Sequence, residues 1–91
     1  MYIVKFTSRA AKDFDKLSKA VQSKILDSIE LLRINPFAEI LQFKKLRGGQ
    51  NLYRIRVGNY RILYEVKGEL LLIVIVRLGY RKDVYRYLKE R

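Results

Sequence analysis

Residues 52–64 read LYRIRVGNYRILY. Apolar and polar side chains alternate on both sides of Gly58-Asn59, the pattern of two strands joined by a two-residue turn. Closing a hairpin there sets Val57 against Tyr60, Ile55 against Ile62 and Arg56 against Arg61. Arg54 falls on the same side of the sheet as that arginine pair. Side chains repeat every two residues, so a one-residue slip would turn the arginines into the core. Like charges facing each other across a strand pair are destabilising. Three guanidinium groups on one face therefore point to an anion, and each offers a planar fork of donors that suits phosphate. A single strand arginine has a plainer use, covering apolar surface with its stem while its head stays in water. Three together fit that use poorly.

The flanking sequence supplies helices and further strands. Tyr2–Phe6 reads as a short strand. Thr7 or Ser8 can cap a helix to about Leu17, with Ala10, Ala11, Phe14 and Leu17 as its apolar stripe. Ser18 can cap a longer helix in which Val21, Ile25, Ile29 and Leu32 recur at helical spacing, and Asn35-Pro36 ends it. The two should form a helical hairpin on a sheet, with their mixed charges facing solvent. Phe37–Phe43 is a connector, and residues 44–49 (KKLRGG) are either a short edge strand or a basic loop. Gly68-Glu69 reads as a type II′ turn into a third strand, Leu70–Leu78, whose nearly continuous apolar run suits an inner strand covered on both faces. Gly79 should break it, with a short helix over Tyr80–Leu88.

These elements predict an α+β fold in one domain over residues 1–91. An N-terminal strand and a two-helix hairpin would pack on a mostly antiparallel four-stranded sheet, followed by a C-terminal helix. One sheet face collects Tyr53, Ile55, Val57, Tyr60, Ile62, Tyr64, Ile73 and Ile75 and should meet the helices, with the tyrosine hydroxyls at the rim. The other collects Arg54, Arg56, Arg61, Leu63, Leu72, Val74 and Val76. It is apolar at its middle and cationic near Gly58.

Net charge is +11, and it is unevenly placed. Residues 1–43 hold seven Lys/Arg and five Asp/Glu, net +2, whereas residues 44–91 hold thirteen and four, net +9. An excess that coincides with the hairpin reads as a footprint for nucleic acid. Lys44, Lys45 and Arg47 either extend that surface along a phosphate backbone or sit in a solvated loop. Tyr80, Arg81, Tyr85, Arg86 and Tyr87 interleave aromatics that can stack bases with cations, while Val84 and Leu88 keep the spacing of a packed helix face. The chain has no Cys and no His, so thiolate chemistry and the commonest general base are excluded. The carboxylates are scattered, with no metal-ligand or paired-carboxylate spacing, and no P-loop, dinucleotide fold or serine triad occurs. Leu70–Val76 is too short to span a bilayer and no signal-peptide pattern opens the chain. A cytoplasmic protein is the default expectation.

Three ordered segments resemble the RelE/ParE toxin superfamily: residues 45–48 (KLRG), residues 53–64 (YRIRVGNYRILY) and residues 79–85 (GYRKDVY). The resemblance covers essentially the whole chain. RelE-like members are ribosome-dependent mRNA endonucleases; ParE-like members share the fold but act on DNA gyrase and lack the nuclease residues. The resemblance implies catalytic roles for Arg54, Arg56, Arg61, Arg81 and Tyr85, and RNA or ribosome contacts for Lys44, Lys45, Arg47, Tyr80, Lys82 and Arg86. It implies metal-independent attack by the RNA 2′-hydroxyl in the ribosomal A site, with no cofactor. The best-known pattern has lysines where this chain has Arg54 and Arg56, and many relatives have histidine where it has Tyr80. The implied partners are a RelB-like antitoxin, the ribosome and mRNA, with operator DNA met only by the toxin–antitoxin complex and no membrane. A ParE-like gyrase toxin and a non-catalytic nucleic-acid-binding module remain the alternatives.

Overall fold

Thr7 ends the first strand and begins the first helix. Its hydroxyl accepts the Ala10 N–H at 3.0 Å and donates to the Val76 carbonyl at 2.9 Å, so one side chain caps a helix and fastens it to the sheet. The computed structural model describes residues 1–47 and 51–90. Strand β1 (Ile3–Phe6) is followed by helices α1 (Ser8–Asp15) and α2 (Lys19–Ile34). Ser18 caps α2 by accepting the Val21 N–H at 3.3 Å. Asn35 leaves the helical region at φ −156° and ψ 105°, where the proline ring that follows drives it. Ala10, Ile25, Ile29 and Leu32 are buried. Ala11 instead faces solvent, so the α1 stripe is narrower than expected.

After a short 3-10 turn over Glu39–Leu41 come β2 (Lys44–Lys45), β3 (Leu52–Val57), β4 (Tyr60–Lys67) and β5 (Leu72–Tyr80). The sheet has five strands in the order β1-β5-β4-β3-β2, with β1 parallel to β5 and the other pairs antiparallel. Four strands were expected. The fifth is β2, the segment left between strand and loop; Gly48 and Gly49 lie outside the described residues.

Gly58-Asn59 forms the expected turn, with Val57 opposite Tyr60, Ile55 opposite Ile62 and Arg56 opposite Arg61. The second connection differs from expectation. Residues 68–70 form a 3-10 turn, and Leu71, not Gly68, takes the left-handed conformation at φ 50°. Lys67 therefore pairs with Leu72, a shift of two residues that leaves the faces unchanged. A bulge follows, because Tyr64 faces Ile75 whereas Leu63 faces Arg77. The extra residue resets the alternation so that Leu78 meets the core. Gly79 does not break the strand. It pairs with Arg61, Tyr80 pairs with Tyr60, and helix α3 (Arg81–Glu90) starts one residue later.

The helix-facing side of the sheet holds the residues expected there, with Ile55, Ile62, Tyr64, Ile73 and Ile75 fully buried. Tyr64 departs from the expected rim position. Its ring stacks on Tyr53 with centroids 5.8 Å apart, and its buried hydroxyl donates to the Pro36 carbonyl at 2.9 Å. Burial pushes its phenol far above the ordinary tyrosine pKa. Among the described residues no helix is long and apolar enough to cross a membrane.

Tyr64→Phe should lower unfolding free energy by about 1 kcal/mol at neutral pH, since the Pro36 carbonyl loses its donor. The folded phenol ionises later than the unfolded one, so its contribution holds below pH of about 10 and is lost as pH rises further. Denaturant unfolding at pH 7 and above pH 10 should show a shallower alkaline decline for the variant. Parallel declines would contradict the assignment.

Candidate nucleic-acid interface

The β3–β4 register places Arg56 directly across from Arg61. The β2–β3 register adds a second pair of like charges, because Lys44 lies directly across from Arg54. Lys44, Arg54, Arg56 and Arg61 thus share the sheet face that points away from α1 and α2. Gly79 sits on the other side of Arg61, where a Cβ would meet nothing within 4 Å, so no side chain crowds the guanidinium from β5.

Two of these cations are buried. Arg61 is 5% exposed and Arg54 9%. Arg61 Nη1 donates to the carbonyls of Gly58 at 2.9 Å and Tyr60 at 2.8 Å, which locks its head over the hairpin turn, while its buried Nε finds no acceptor. Arg54 Nη1 donates to the Gln42 carbonyl at 3.2 Å. Burial holds the Arg54 pKa below the ordinary arginine value, and the neighbouring Arg56 and Arg61 charges push the same way. Among the described residues the ion pairs are Arg33 with Glu30 and Arg77 with Asp13, so no carboxylate offsets the cationic face. A buried cation without a counter-charge is costly. Bound anion is the natural remedy.

Helix α3 brings a tyrosine to this face. The Arg81 N–H donates to the Asn59 carbonyl at 2.9 Å, pinning the start of α3 to the hairpin turn. Val84 is buried and anchors the helix, and α3 lies against β4 and β5. Tyr85 is exposed, yet its phenol pKa is lowered, chiefly by its interaction with the Arg61 guanidinium; burial opposes this, and the charges of Arg61, Arg54 and Arg56 add to the lowering. The face thus combines anchored cationic donors with one phenol that the same cations make easier to ionise.

Of the residues singled out in the sequence, Arg54, Arg56, Arg61 and Tyr85 come together. Arg81 stands at the Gly58 end with an exposed side chain, and Lys82 is exposed beside it. Lys44 joins the face through β2, and Arg47 is exposed beyond that strand. The other three lie elsewhere. Lys45 pairs with Tyr53 and so shares the opposite side; Tyr80 leans edge-on against Tyr60 with centroids 5.7 Å apart; Arg86 lines a cleft between α1 and α3. Sequence reasoning overlooked Arg77. Its signal was a charge closing an otherwise apolar run, and its side chain reaches Asp13 of α1.

Comparison with known proteins gives a consistent relationship. Residues 4–85 match the family model for the ParE toxin of the type II toxin–antitoxin system parDE. A RelE-like toxin protein of Escherichia coli is 36% identical over 99% of this chain and 96% of its own length. The mRNA interferase toxin RelE of Escherichia coli strain K12 is 28% identical over 92% of this chain and 90% of its own. Among solved structures, the archaeal RelE–RelB complex from Pyrococcus horikoshii superposes with a TM-score of 0.77 at 32% identity, covering 88% of this chain and 94% of that one.

The effect of Arg61 on Tyr85 has a direct readout. Tyr85 should ionise below the ordinary tyrosine value of about 10, and Arg61→Met should move its midpoint upward. Carbon-13 tyrosine resonances followed through an alkaline titration measure this; an unmoved midpoint would contradict the contact.

Proposed function

The chain belongs to the ParE toxin family of type II toxin–antitoxin systems, and we propose that it is a RelE-like mRNA endonuclease acting on the ribosome in the cytoplasm. The observation that carries this reading is the Arg56–Arg61 pair, two cations forced together beside the buried Arg54 and the tyrosine of α3. Such a face suits a reaction in which negative charge builds on one phosphate.

The reaction is transesterification within RNA. The 2′-oxygen bonds to the adjacent phosphorus while the bond from phosphorus to the 5′-oxygen breaks, leaving a 2′,3′-cyclic phosphate and a 5′-hydroxyl. Arg61, locked over the turn, and Arg81 would hold the scissile phosphate. Arg54 and Arg56 would offset charge growing on its oxygens, and preorganised donors of this kind are worth most where water is excluded. Tyr85, with its lowered pKa, would take the 2′-proton or return one to the leaving oxygen. The arginines cannot, since they stay protonated at working pH. Lys44, Arg47 and Lys82 would follow the backbone of the strand.

The partner of the free toxin would be a RelB-like antitoxin, as in the archaeal complex that shares this fold. An acidic, largely disordered chain would gain long-range attraction to a domain of net charge +11. The match to the ParE model supports a second reading, a gyrase-directed toxin without nuclease activity. The arginines and Tyr85 count against it.

Primer extension on translated mRNA after induction should show codon-phased cuts. Arg61→Ala should reduce them by about 10²-fold or more, the loss typical of one preorganised charge-stabilising donor, while the circular dichroism spectrum stays unchanged. Tyr85→Phe should also lower cleavage, and wild-type cleavage should rise with pH through the Tyr85 midpoint. Intact mRNA with gyrase-linked DNA breaks would reject this reading in favour of the second.

A further inference from the structure

Among the described residues, one tie of helix α3 to the body of the protein runs through Arg77 of β5. The bulge in β5 sets Arg77 opposite Leu63, and its side chain reaches α1, where its Nε donates to Asp13 Oδ2 at 2.8 Å and its Nη2 to Oδ1 at 3.2 Å. Asp13 Oδ2 also accepts the Leu78 N–H at 3.2 Å, so one carboxylate holds both the side chain and the backbone of the bulge. The pair is largely buried, with side chains 23% and 12% exposed. A bidentate arginine–carboxylate fork fixes the plane of the guanidinium. That plane lies over the Tyr87 ring, 4.9 Å from its centroid.

Tyr87 is two residues beyond Tyr85, so the two rings leave α3 on different sides. Tyr87 borders the open cleft of about 530 Å³ between α1 and α3. Tyr85 reaches the arginines. The Arg81 N–H bond to Asn59 fixes the start of the helix, and Val84 is its buried anchor. Rotation about that anchor is opposed by the Tyr87 contact. We propose that Asp13, Arg77 and Tyr87 form a clamp that sets the rotation of α3 and thereby holds Tyr85 on the side of the arginines. All three are positioning residues, since each is argued to act through Tyr85. As a device serving cleavage the clamp rests on the reading given above; as geometry it stands without it.

Phe retains the ring face that a guanidinium needs, whereas Leu removes it. Tyr87→Leu should therefore raise the Tyr85 ionisation midpoint and lower the turnover of cleavage by about 10- to 10²-fold, the scale of a 1 Å misplacement, with little change in KM. Tyr87→Phe should leave both near wild type. Asp13→Asn should act like Tyr87→Leu. If that variant fails to fold, the Leu and Phe pair decides, because position 87 is on the surface helix. A Tyr85 midpoint unmoved in a folded Tyr87→Leu protein, or equal effects of Leu and Phe, would overturn the clamp. A moved midpoint in a protein whose wild type cuts no RNA would support the clamp and reject the nuclease reading instead.

Discussion

The repulsion between Arg56 and Arg61 is the constraint around which this molecule is arranged. Opposed like charges across a strand pair cost stability, and here one partner is also almost wholly buried. The fold absorbs the strain without neutralising it. Arg61 is steadied by two carbonyls of its own hairpin, and Arg54 by a carbonyl of the loop before β2. Among the described residues no acid approaches either pair. A protein selected only for stability would have placed one carboxylate there. Charge left open in this way is what the proposed phosphate contact would use.

The remaining elements serve that face from behind and from the side. The helices α1 and α2 bury the other side of the sheet, which makes a five-stranded platform rigid enough to hold two cations in register. Gly79 leaves the space beside Arg61 clear, and the residues after it turn directly into α3. The hairpin turn then does two jobs. Its Gly58 carbonyl holds the Arg61 head, and its Asn59 carbonyl holds the start of the helix that carries Tyr85. The arginine face and Tyr85 are thus referenced to the same two residues.

Much of this is legible in the sequence because it depends on local rules. The Gly58-Asn59 turn and the two-residue period dictate the arginine face. Ser18 and Asn35-Pro36 bound α2. What the sequence conceals depends on tertiary competition. Gly68-Glu69 resembles a type II′ turn, yet the chain prefers a longer connection with Leu71 left-handed, which pairs Lys67 with Leu72. A bulge has no period of its own, so neither the reset that buries Leu78 nor the exit of Arg77 toward Asp13 is visible beforehand. Lys44 opposite Arg54 is equally hidden, since a two-residue edge strand carries no pattern. Tyr64 looks like a rim residue until the loop at Pro36 supplies an acceptor inside.

The most direct test is a double-mutant cycle between Arg56 and Arg61, using Arg56→Met and Arg61→Met, with unfolding measured in the free protein and again with saturating single-stranded RNA. In the free protein the coupling should be unfavourable, on the scale of 0.2 to ~1 kcal/mol known for directly opposed side chains. With RNA bound it should change sign, since both guanidinium groups then share a phosphate. Coupling that is zero or favourable without RNA, or that RNA leaves unchanged, would contradict the view that this face is held open for a phosphate.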